Sequence, residues 1–325
     1  MTALERLPGR GGQKDGKVSI IGGAGRVGSS AAYALQLGRS CTEIVLVDAA
    51  AEAARGEALD LSHGWAALGG PRIRAGDYPE IAGSEMVVVT AGLRRKPDES
   101  RLALTGRNVA LFREVIEKIQ GAASDAVLLV VTNPVDVLTY LAAADLGWPP
   151  QQTIGLGTVL DTLRFRSLLA ERLSFDPSRL EALILGEHGD SMVPVLSGLR
   201  YQGQPLSSLP GHSDHLVQEA FEATRTAGAE CLRLKGGAGY AVGLAVRQVV
   251  EAVLDDTGAV LPVCTLHRSG PFGGVAFSLP TRLGRAGVLS VSYDDLTDTE
   301  RTALQLSAGV LRKTIARLKA AGAGA

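Results

Sequence analysis

The 325-residue sequence predicts an α/β fold in which a doubly wound parallel sheet is followed by a mixed α+β unit. Short apolar runs rich in β-branched residues alternate with longer helical patterns in the first half, and a glycine-rich turn joins the first run to the first helical pattern. The alternation ends near Pro149 and Pro150, because consecutive prolines cannot continue a helix. Strands that alternate with helices favour parallel pairing through right-handed crossovers.

The predicted strands of the first half are short enough to be buried on both faces of a sheet. They are Val18–Ile21, Glu43–Val47, Met86–Thr90 and Ala126–Val131, with one further strand at Thr153–Leu156. The segments between them have helical spacing and are Val27–Leu37, Glu52–Leu61 and Arg101–Gln120. The order of these elements predicts repeated βαβ units.

The second half predicts helices and strands in a less regular order. The helices are Val159–Leu173, Leu216–Lys235 and Tyr240–Leu254, and the strands are Leu183–Leu185, Ala259–Thr265 and Val288–Tyr293. In the last predicted helix an apolar residue recurs every three or four positions, which gives one buried face: Leu304, Ala308, Leu311, Ile315 and Leu318. We therefore predict a first domain at 17–157, a second at 158–319, a flexible extension at 1–16 and a flexible tail at 320–325.

Composition and charge exclude several function classes. Hydrophobic residues make up 46% of the chain and the net charge is −1 without a basic stripe, so neither disorder nor a nucleic-acid or anionic-membrane partner is favoured. No stretch reaches the roughly 18 uncharged apolar residues of a membrane span, and residues 1–16 lack the apolar segment of a secretory signal. The three cysteines, Cys41, Cys231 and Cys264, are widely spaced and predict free thiols. We expect a cytoplasmic protein.

A glycine-rich motif directly follows the first predicted strand. Read as G-x-G-x-x-G it uses Gly23 for a tight turn, Gly25 for a close approach of the backbone to a pyrophosphate, and Gly28 for close packing of the helix on the strand. The intervening Arg26 and Val27 lie at the N-terminus of the helix that follows, whose free N–H groups favour an anion. Taken alone, the motif is also compatible with an ordinary glycine-rich βα turn.

An acidic residue strengthens the dinucleotide hypothesis. Asp48 ends the second predicted strand 20 positions after Gly28, where a carboxylate can accept hydrogen bonds from the ribose hydroxyls of a Rossmann-type site. Three alanines follow Asp48, with no adjacent basic residue to hold a 2′-phosphate. The sequence therefore predicts NAD and not NADP as the cofactor.

Hydride transfer between a nicotinamide and a 2-hydroxy acid needs a base that titrates near neutral pH, a carboxylate that orients it, and cations for the substrate. His188 lies just after a predicted strand in Gly186–Asp190, and Asp161 and Arg164 are three residues apart on one helical face. Arg94, Arg95 and Arg101 flank Lys96-Pro97 after the strand at Met86. Taken one at a time, His188 is also compatible with a structural turn histidine, Asp161 and Arg164 with a surface ion pair, and the arginines around Lys96 with a solvated basic loop.

Together, the motifs resemble those of the lactate/malate dehydrogenase family over nearly the whole chain, from Lys17 to about Leu318. The matching segments, in order, are Gly23–Gly28, Val47-Asp48, Gly56–Leu61, Thr90–Gly92, Lys96-Pro97 with Ser100-Arg101, Thr132–Asp136, Leu160–Arg166 and Gly186–Asp190. Because so many motifs occur in order at the family's spacing, the resemblance is highly specific.

The resemblance implies a role for each matching residue. His188 would be the proton donor and acceptor, Asp161 its carboxylate partner, and Arg164 the arginine that binds the substrate carboxylate. Arg101 would polarise the reacting carbonyl from a mobile loop, at about Gly92 to Leu104, that closes as a lid. Asn133 would contact both the substrate and the nicotinamide ribose. Asn108 belongs with the implied cofactor-binding residues.

The resemblance also bears on the substrate, which is expected to be a small 2-oxo or 2-hydroxy acid with one or two carboxylates. Arg95 stands where malate dehydrogenases carry arginine and lactate dehydrogenases carry glutamine, and Ala238 replaces a threonine common in the lactate enzymes. Gly157-Thr158 and Glu187 are more typical of the lactate branch. The sequence thus predicts a malate dehydrogenase of the lactate-dehydrogenase-like type, and a homotetramer or homodimer. The alternatives are an L-lactate dehydrogenase and a non-catalytic redox sensor that binds NAD(H).

Overall fold

A computed structural model describes residues 16–93 and 101–322, and of residues 101, 102, 321 and 322 it describes the backbone alone. The predicted extension, apart from Gly16, and the end of the predicted tail lie outside these ranges. Six strands of the first half pair in parallel: β1 (Lys17–Ile21), β2 (Glu43–Val47), β3 (Arg72–Ala75), β4 (Met86–Val89), β5 (Val127–Val130) and β6 (Thr153–Gly155). Their order in space is β6-β5-β4-β1-β2-β3, which is a doubly wound sheet.

The order of strands reverses between β1 and β4, so the loops after these two strands diverge and leave a crevice at the carboxyl edge of the sheet. The described helices are α1 (Arg26–Gly38), α2 (Ala51–His63), α3 (Trp65–Leu68), α4 (Arg101–Ala123), α5 (Val135–Tyr140), α6 (Val159–Leu173), α7 (Asp214–Lys235), α8 (Tyr240–Leu254) and α9 (Asp298–Gly322). A π-helical turn, Leu141–Asp145, continues α5.

The second half adds strands to the same sheet. Its strands are β7 (Leu180–Glu181), β8 (Ile184–Leu185), β9 (Val193–Pro194), β10 (Arg200–Tyr201), β11 (Gln204–Pro205), β12 (Val260–His267), β13 (Val275–Gly284) and β14 (Gly287–Val291). The last three form an antiparallel meander that joins β6 where Cys264 pairs with Gly155. A single nine-stranded sheet therefore runs through both halves of the molecule.

Alternating residues of the parallel strands are buried against helices on both faces, as the predicted fold requires. Ile20, Leu46 and Val88 belong to the apolar cluster that includes residues of α1 and α8. Val45 and Val89 belong to the cluster on the other face, with residues of α4 and α5. Both sets are 0% exposed, and a fully buried side chain of this size contributes about 1.5–3 kcal/mol through the hydrophobic effect.

Several elements were missing from the sequence prediction, and three of them show why: β13, β3 and α5. Strand β13 is the longest of the described strands, but Pro280 lies inside it, opposite Pro262 of β12 in the antiparallel register. Proline within a run argues against a strand, so the pattern gave no signal there. Strand β3 is short, at the edge of the sheet, and buries only Ile73. Helix α5 is a single short segment after Pro134.

The predicted apolar face of the last helix is present in the structure. Leu304, Ala308, Leu311 and Ile315 of α9 are buried and pack in a cluster with Phe277 of β13. The loop that follows β8 is held against α9 by a hydrogen bond from the Glu187 N–H to Ser307 Oγ at 2.9 Å. Among the helices that the structure describes, none is long and apolar enough to span a bilayer.

Candidate active site

The glycine-rich turn is held against β2. The N–H groups of Gly22 and Gly23 both donate to the carbonyl oxygen of Val47, at 2.8 and 3.1 Å. Gly22, one position before the predicted motif, has the left-handed conformation with φ +88°, so it makes the turn that the sequence analysis assigned to Gly23. A Cβ on Gly28 would lie 2.2 Å from the carbonyl oxygen of Gly22. The motif therefore lets α1 approach the turn closely.

Asp48 lies beside this turn. Its Oδ2 accepts a hydrogen bond from the Ala24 N–H at 3.1 Å, and its Oδ1 accepts one from the Ala50 N–H at 3.0 Å. Asp48, Gly22 and Gly25 line a cavity of about 1080 Å³. The volume of this cavity and the residues that line it suit the adenosine and diphosphate portion of a dinucleotide.

Two basic side chains that sequence reasoning overlooked also line this cavity. Arg55 of α2 donates to Glu52 at 2.8 Å, and Lys118 of α4 lies 5.3 Å from the ring centroid of Tyr78. The sequence argument against a 2′-phosphate considered only the neighbours of Asp48 along the chain. Arg55 is 69% exposed and is already paired with a carboxylate.

A second group of side chains meets where α6 begins. His188 lies in the loop after β8, and its Nδ1 is 2.5 Å from Oδ2 of Asp161. Arg164 donates from Nη1 to Oδ1 of the same carboxylate at 3.1 Å. Asp161 is in the first turn of α6, where the helix dipole favours a negative charge, and it is 1% exposed. The two oxygens of Asp161 thus hold an imidazole and a guanidinium.

The protonation of this group is shifted by burial and by charge. Burial of the His188 ring lowers its pKa, but the charge of Asp161 and the hydrogen bond to it outweigh this effect, and the pKa of His188 is raised overall. Burial raises the pKa of Asp161, but His188 and Arg164 outweigh it, and the pKa of Asp161 is lowered overall. Asp161 therefore stays ionised and stabilises the protonated imidazole.

The predicted asparagines lie between these two regions. Asn108 of α4 accepts at Oδ1 from the Leu93 N–H at 2.8 Å and donates from Nδ2 to the Asn133 carbonyl oxygen at 3.3 Å. It therefore links the loops that follow β4 and β5, and 6% of it is exposed. Asn133 is exposed, and its Oδ1 accepts from the Val135 N–H at 3.2 Å.

One continuous cleft connects the two regions. His188, Arg164, Asn133 and Ala238 line a cavity of about 510 Å³ together with Gly25, Arg26 and Val27 of the glycine-rich turn and α1. A neighbouring cavity of about 600 Å³ shares His188 and Asn133 with it and adds Asn108. Both cavities share Thr90 and Gly92 with the cavity beside Asp48. These connected cavities are lined by eight of the sequence-predicted residues: Gly25, Arg26, Val27, Asp48, Asn108, Asn133, Arg164 and His188. Asp161, Gly23 and Gly28 are buried and do not line them.

The side chains of two predicted substrate residues, Arg95 and Arg101, lie outside the described part of the chain. Arg95 lies outside the described residues, as does most of the predicted lid. Arg101 begins α4, and only its backbone is described. Leu93 and Leu104, on either side of the undescribed segment, both line the cavity that contains His188.

A carboxylate that sequence reasoning did not single out contacts the candidate base. Oδ2 of Asp136, in the first turn of α5, accepts a hydrogen bond from the backbone N–H of His188 at 2.8 Å. Asp136 ends the Thr132–Asp136 segment that carried part of the family resemblance. Its place in that segment was therefore the available signal.

Two family models match the chain. The NAD-binding domain of lactate/malate dehydrogenases matches residues 16–155, and the α/β C-terminal domain of the same family matches residues 158–321. Among curated proteins, an L-lactate dehydrogenase of Synechococcus sp. (strain JA-3-3Ab) is 43% identical over 302 residues, covering 92% of this chain and 98% of that protein. One of Deinococcus radiodurans is also 43% identical, covering 91% and 97%.

Solved structures give the same likeness. A lactate dehydrogenase from a Medee basin deep-sea metagenome library superposes with a TM-score of 0.89 at 32% identity, covering 94% of this chain and 99% of that chain. The malate dehydrogenase of Picrophilus torridus superposes with a TM-score of 0.88 at 31% identity, covering 95% and 99%. Sequence and structure therefore agree on one family, with both of its branches represented.

Proposed function

The chain belongs to the lactate/malate dehydrogenase family and is an NAD-dependent enzyme of that family, and from this premise we propose that it interconverts lactate and pyruvate. The observation that carries the proposal is the His188–Asp161 pair, which opens with Arg164 onto a cavity beside the glycine-rich turn. These three side chains supply a proton carrier, its counter-charge and a cation for the substrate carboxylate.

The described residues fit NAD. The half-buried Asp48 carboxylate is placed to accept hydrogen bonds from the ribose hydroxyls, and the N-terminus of α1 at Arg26 and Val27 favours the diphosphate. Gly25 leaves the turn open on the cavity side, since among the described residues beyond its chain neighbours a Cβ there would meet the Gly22 carbonyl oxygen alone, at 3.2 Å. When bound, NAD(H) supplies or accepts the hydride at the reacting carbon.

His188 carries the proton of the reaction. Its Nδ1 is occupied by Asp161, so Nε2 is the nitrogen available to the substrate oxygen. In reduction the protonated ring donates to the oxygen of the 2-oxo group, and in oxidation the neutral ring accepts the proton of the hydroxyl. The hydrogen bond at Nδ1 fixes the tautomer and stabilises the ring when it is protonated.

Arg164 binds the carboxylate of the acid. One of its nitrogens, Nη1, already donates to Asp161, which orients the guanidinium toward the cavity. A Cβ on Gly228 of α7 would lie 3.7 Å from Nη1 and 3.9 Å from Nη2, so the glycine leaves space beside both nitrogens. Two parallel hydrogen bonds to the carboxylate would then fix the acid relative to His188.

Lactate is favoured as the substrate by the names of the two curated relatives described above, which are L-lactate dehydrogenases at 43% identity. Two residues associated with the lactate branch also have defined partners. Thr158 Oγ1 donates to the Ile184 carbonyl oxygen at 2.5 Å, and Glu187 Oε2 accepts from Ser191 Oγ at 2.5 Å. Both contacts support the segments that carry Asp161 and His188.

Malate, which the sequence analysis predicted as the main substrate, becomes the second candidate, because the names of the similar curated relatives support the alternative, lactate, better. Arg95 would pair with the second carboxylate of oxaloacetate, which would otherwise be buried without a partner at a cost of about 3–5 kcal/mol. Ala238 lines the cavity of His188 and leaves more room than a threonine.

Three further expectations from the sequence stay predictions. They are the assembly into a homodimer or homotetramer, the cytoplasmic location and the two-domain division.

Measuring kcat/KM for NADH oxidation with pyruvate and with oxaloacetate tests the proposal. We expect pyruvate to be the better substrate. A tenfold or greater preference for oxaloacetate would select malate instead, and Arg95→Gln should then lower oxaloacetate turnover by orders of magnitude and raise pyruvate turnover. If the protein reduces neither acid and no other 2-oxo acid, the proposed reaction is excluded.

A further inference from the structure

The candidate active site contains a second buried carboxylate that the mechanism above does not use. Asp136 is 3% exposed and lies in the first turn of α5. Its Oδ2 accepts the hydrogen bond from the His188 backbone N–H at 2.8 Å. Its Oδ1 is buried and receives no hydrogen bond from an N–H or O–H group among the residues that the structure describes, and the other donor at this carboxylate is the Cys264 thiol. A buried carboxylate whose only other donor is a weakly donating thiol is costly to bury, which indicates a function beyond packing.

The titratable groups that face Asp136 come from two other elements. His188 and Glu187 lie in the loop after β8, and Cys264 lies on β12. The Cys264 thiol interacts with the Asp136 carboxylate, and burial, followed by the charge of Asp136, raises the pKa of this thiol well above its usual value. The thiol therefore stays protonated and neutral, so it adds no charge of its own beside Asp136 and His188.

We propose that Asp136 is a positioning residue for the proposed reaction, which fixes the backbone of His188 and provides, in addition to Asp161, a negative charge that stabilises the protonated imidazole. The inference rests on the proposed function, because it assigns Asp136 a role in the proton transfer of His188. It requires only that the carboxylate lies at the backbone of His188 and carries charge at the working pH.

The ionisation of Asp136 fits this role. Burial raises its pKa to about 7, against the opposing charge of His188 and the hydrogen bond from the His188 N–H. The charge of Asp136 in turn raises the pKa of His188, less strongly than Asp161 does. Protonation of the imidazole and ionisation of Asp136 therefore favour each other, so the two groups titrate as a coupled pair.

The variant Asp136→Asn separates charge from shape, because its amide oxygen can still accept the hydrogen bond from His188. We expect the pKa of His188 to fall by about one unit, the lower end of what a nearby opposite charge contributes. Reduction of the 2-oxo acid needs a protonated ring, so the alkaline limb of kcat/KM should move to lower pH by the same amount. Activity should be recovered when the pH is lowered.

The matched control is Asp145→Asn, which removes a carboxylate from the turn that continues α5, where Asp145 pairs with Lys319 at 3.1 Å. It should leave the pH profile unchanged. If Asp136→Asn does not fold, Cys264→Ala provides the second variant: the thiol interaction lowers the pKa of Asp136, so its loss should move the same limb in the same direction by less.

The second readout is the NMR titration of the His188 ring in the complete chain with NADH, assigned by comparison with His188→Asn. An unchanged His188 pKa in Asp136→Asn, or an activity loss equal at every pH, would overturn the inference. If the parent reduces no 2-oxo acid, the proposed function fails, but the NMR titration still decides whether Asp136 sets the charge of His188.

Discussion

The two ends of the cleft are built in different ways. The cofactor end is held mostly by backbone contacts within one βαβ unit. Backbone N–H groups of the glycine-rich turn donate to the Val47 carbonyl oxygen and to the Asp48 carboxylate. At the substrate end, side chains from α6, from the loop after β8 and from α5 converge from positions far apart in the sequence. Backbone contacts leave most side chains of the turn free to vary and require glycine only where the backbone approaches closely, as at Gly28. The converging side chains of the substrate end instead require one particular chemical group at each position.

This contrast predicts that substitutions at the substrate end abolish chemistry while leaving cofactor binding intact, and that substitutions at the cofactor end act on stability and cofactor binding together.

The largest effect is expected for His188→Asn. Without the imidazole no group at the reacting oxygen carries the proton, and turnover should fall by about 10²–10⁴-fold. The affinity for NADH, measured by fluorescence titration, should stay within a few-fold of the parent because the glycine-rich turn is unchanged. Loss of NADH binding together with activity would instead assign His188 a role in folding and would remove the distinction between the two ends.

A smaller effect is expected for Arg164→Lys. The ammonium keeps the charge but loses the planar pair of donors, which should cost about 1.5–3 kcal/mol for hydrogen bonds to a charged group. This corresponds to roughly a tenfold to 150-fold loss of kcat/KM for the 2-oxo acid, expressed mainly as a higher KM. Steady-state kinetics at saturating NADH measure it. An unchanged KM would show that Arg164 acts only on Asp161 and not on the substrate.

The smallest effect on chemistry is expected at the cofactor end, for Gly28→Ala. The added Cβ would lie 2.2 Å from the Gly22 carbonyl oxygen, so the turn must shift, at a cost of about 1–3 kcal/mol in unfolding free energy and with weaker NADH binding. Chemical denaturation and NADH titration measure both quantities.

Gly56→Ala is the control for that variant, since no atom of the described residues outside the local backbone of α2 lies within 4 Å of the added Cβ. It should stabilise the protein by about 0.5–1 kcal/mol, because alanine loses less backbone entropy than glycine in a helix. If Gly28→Ala were as stable as Gly56→Ala and bound NADH normally, the close approach of α1 would not be required.

The sequence predicted much of the fold because the buried parallel strands have a strong local signal. Runs such as Met86–Val89 are apolar at every position, and the face of α9 repeats at helical spacing. It failed for β13, whose Pro280 lies opposite another proline, and for the edge strand β3, which buries a single residue. In both elements the strand conformation is stabilised by pairing with neighbours and not by a local pattern.

For the candidate site, the sequence alone determined the cofactor end: Gly28 and Asp48 lie 20 positions apart in one βαβ unit, and the local chain geometry brings them together. It also provided the residue types of the substrate end. Only the tertiary structure decided that His188 contacts Asp161, 27 positions away, and Asp136, 52 positions away. Contacts between distant segments depend on how helices pack across the sheet, and burial of Asp136, which sets its pKa to about 7, exists only after that packing has formed.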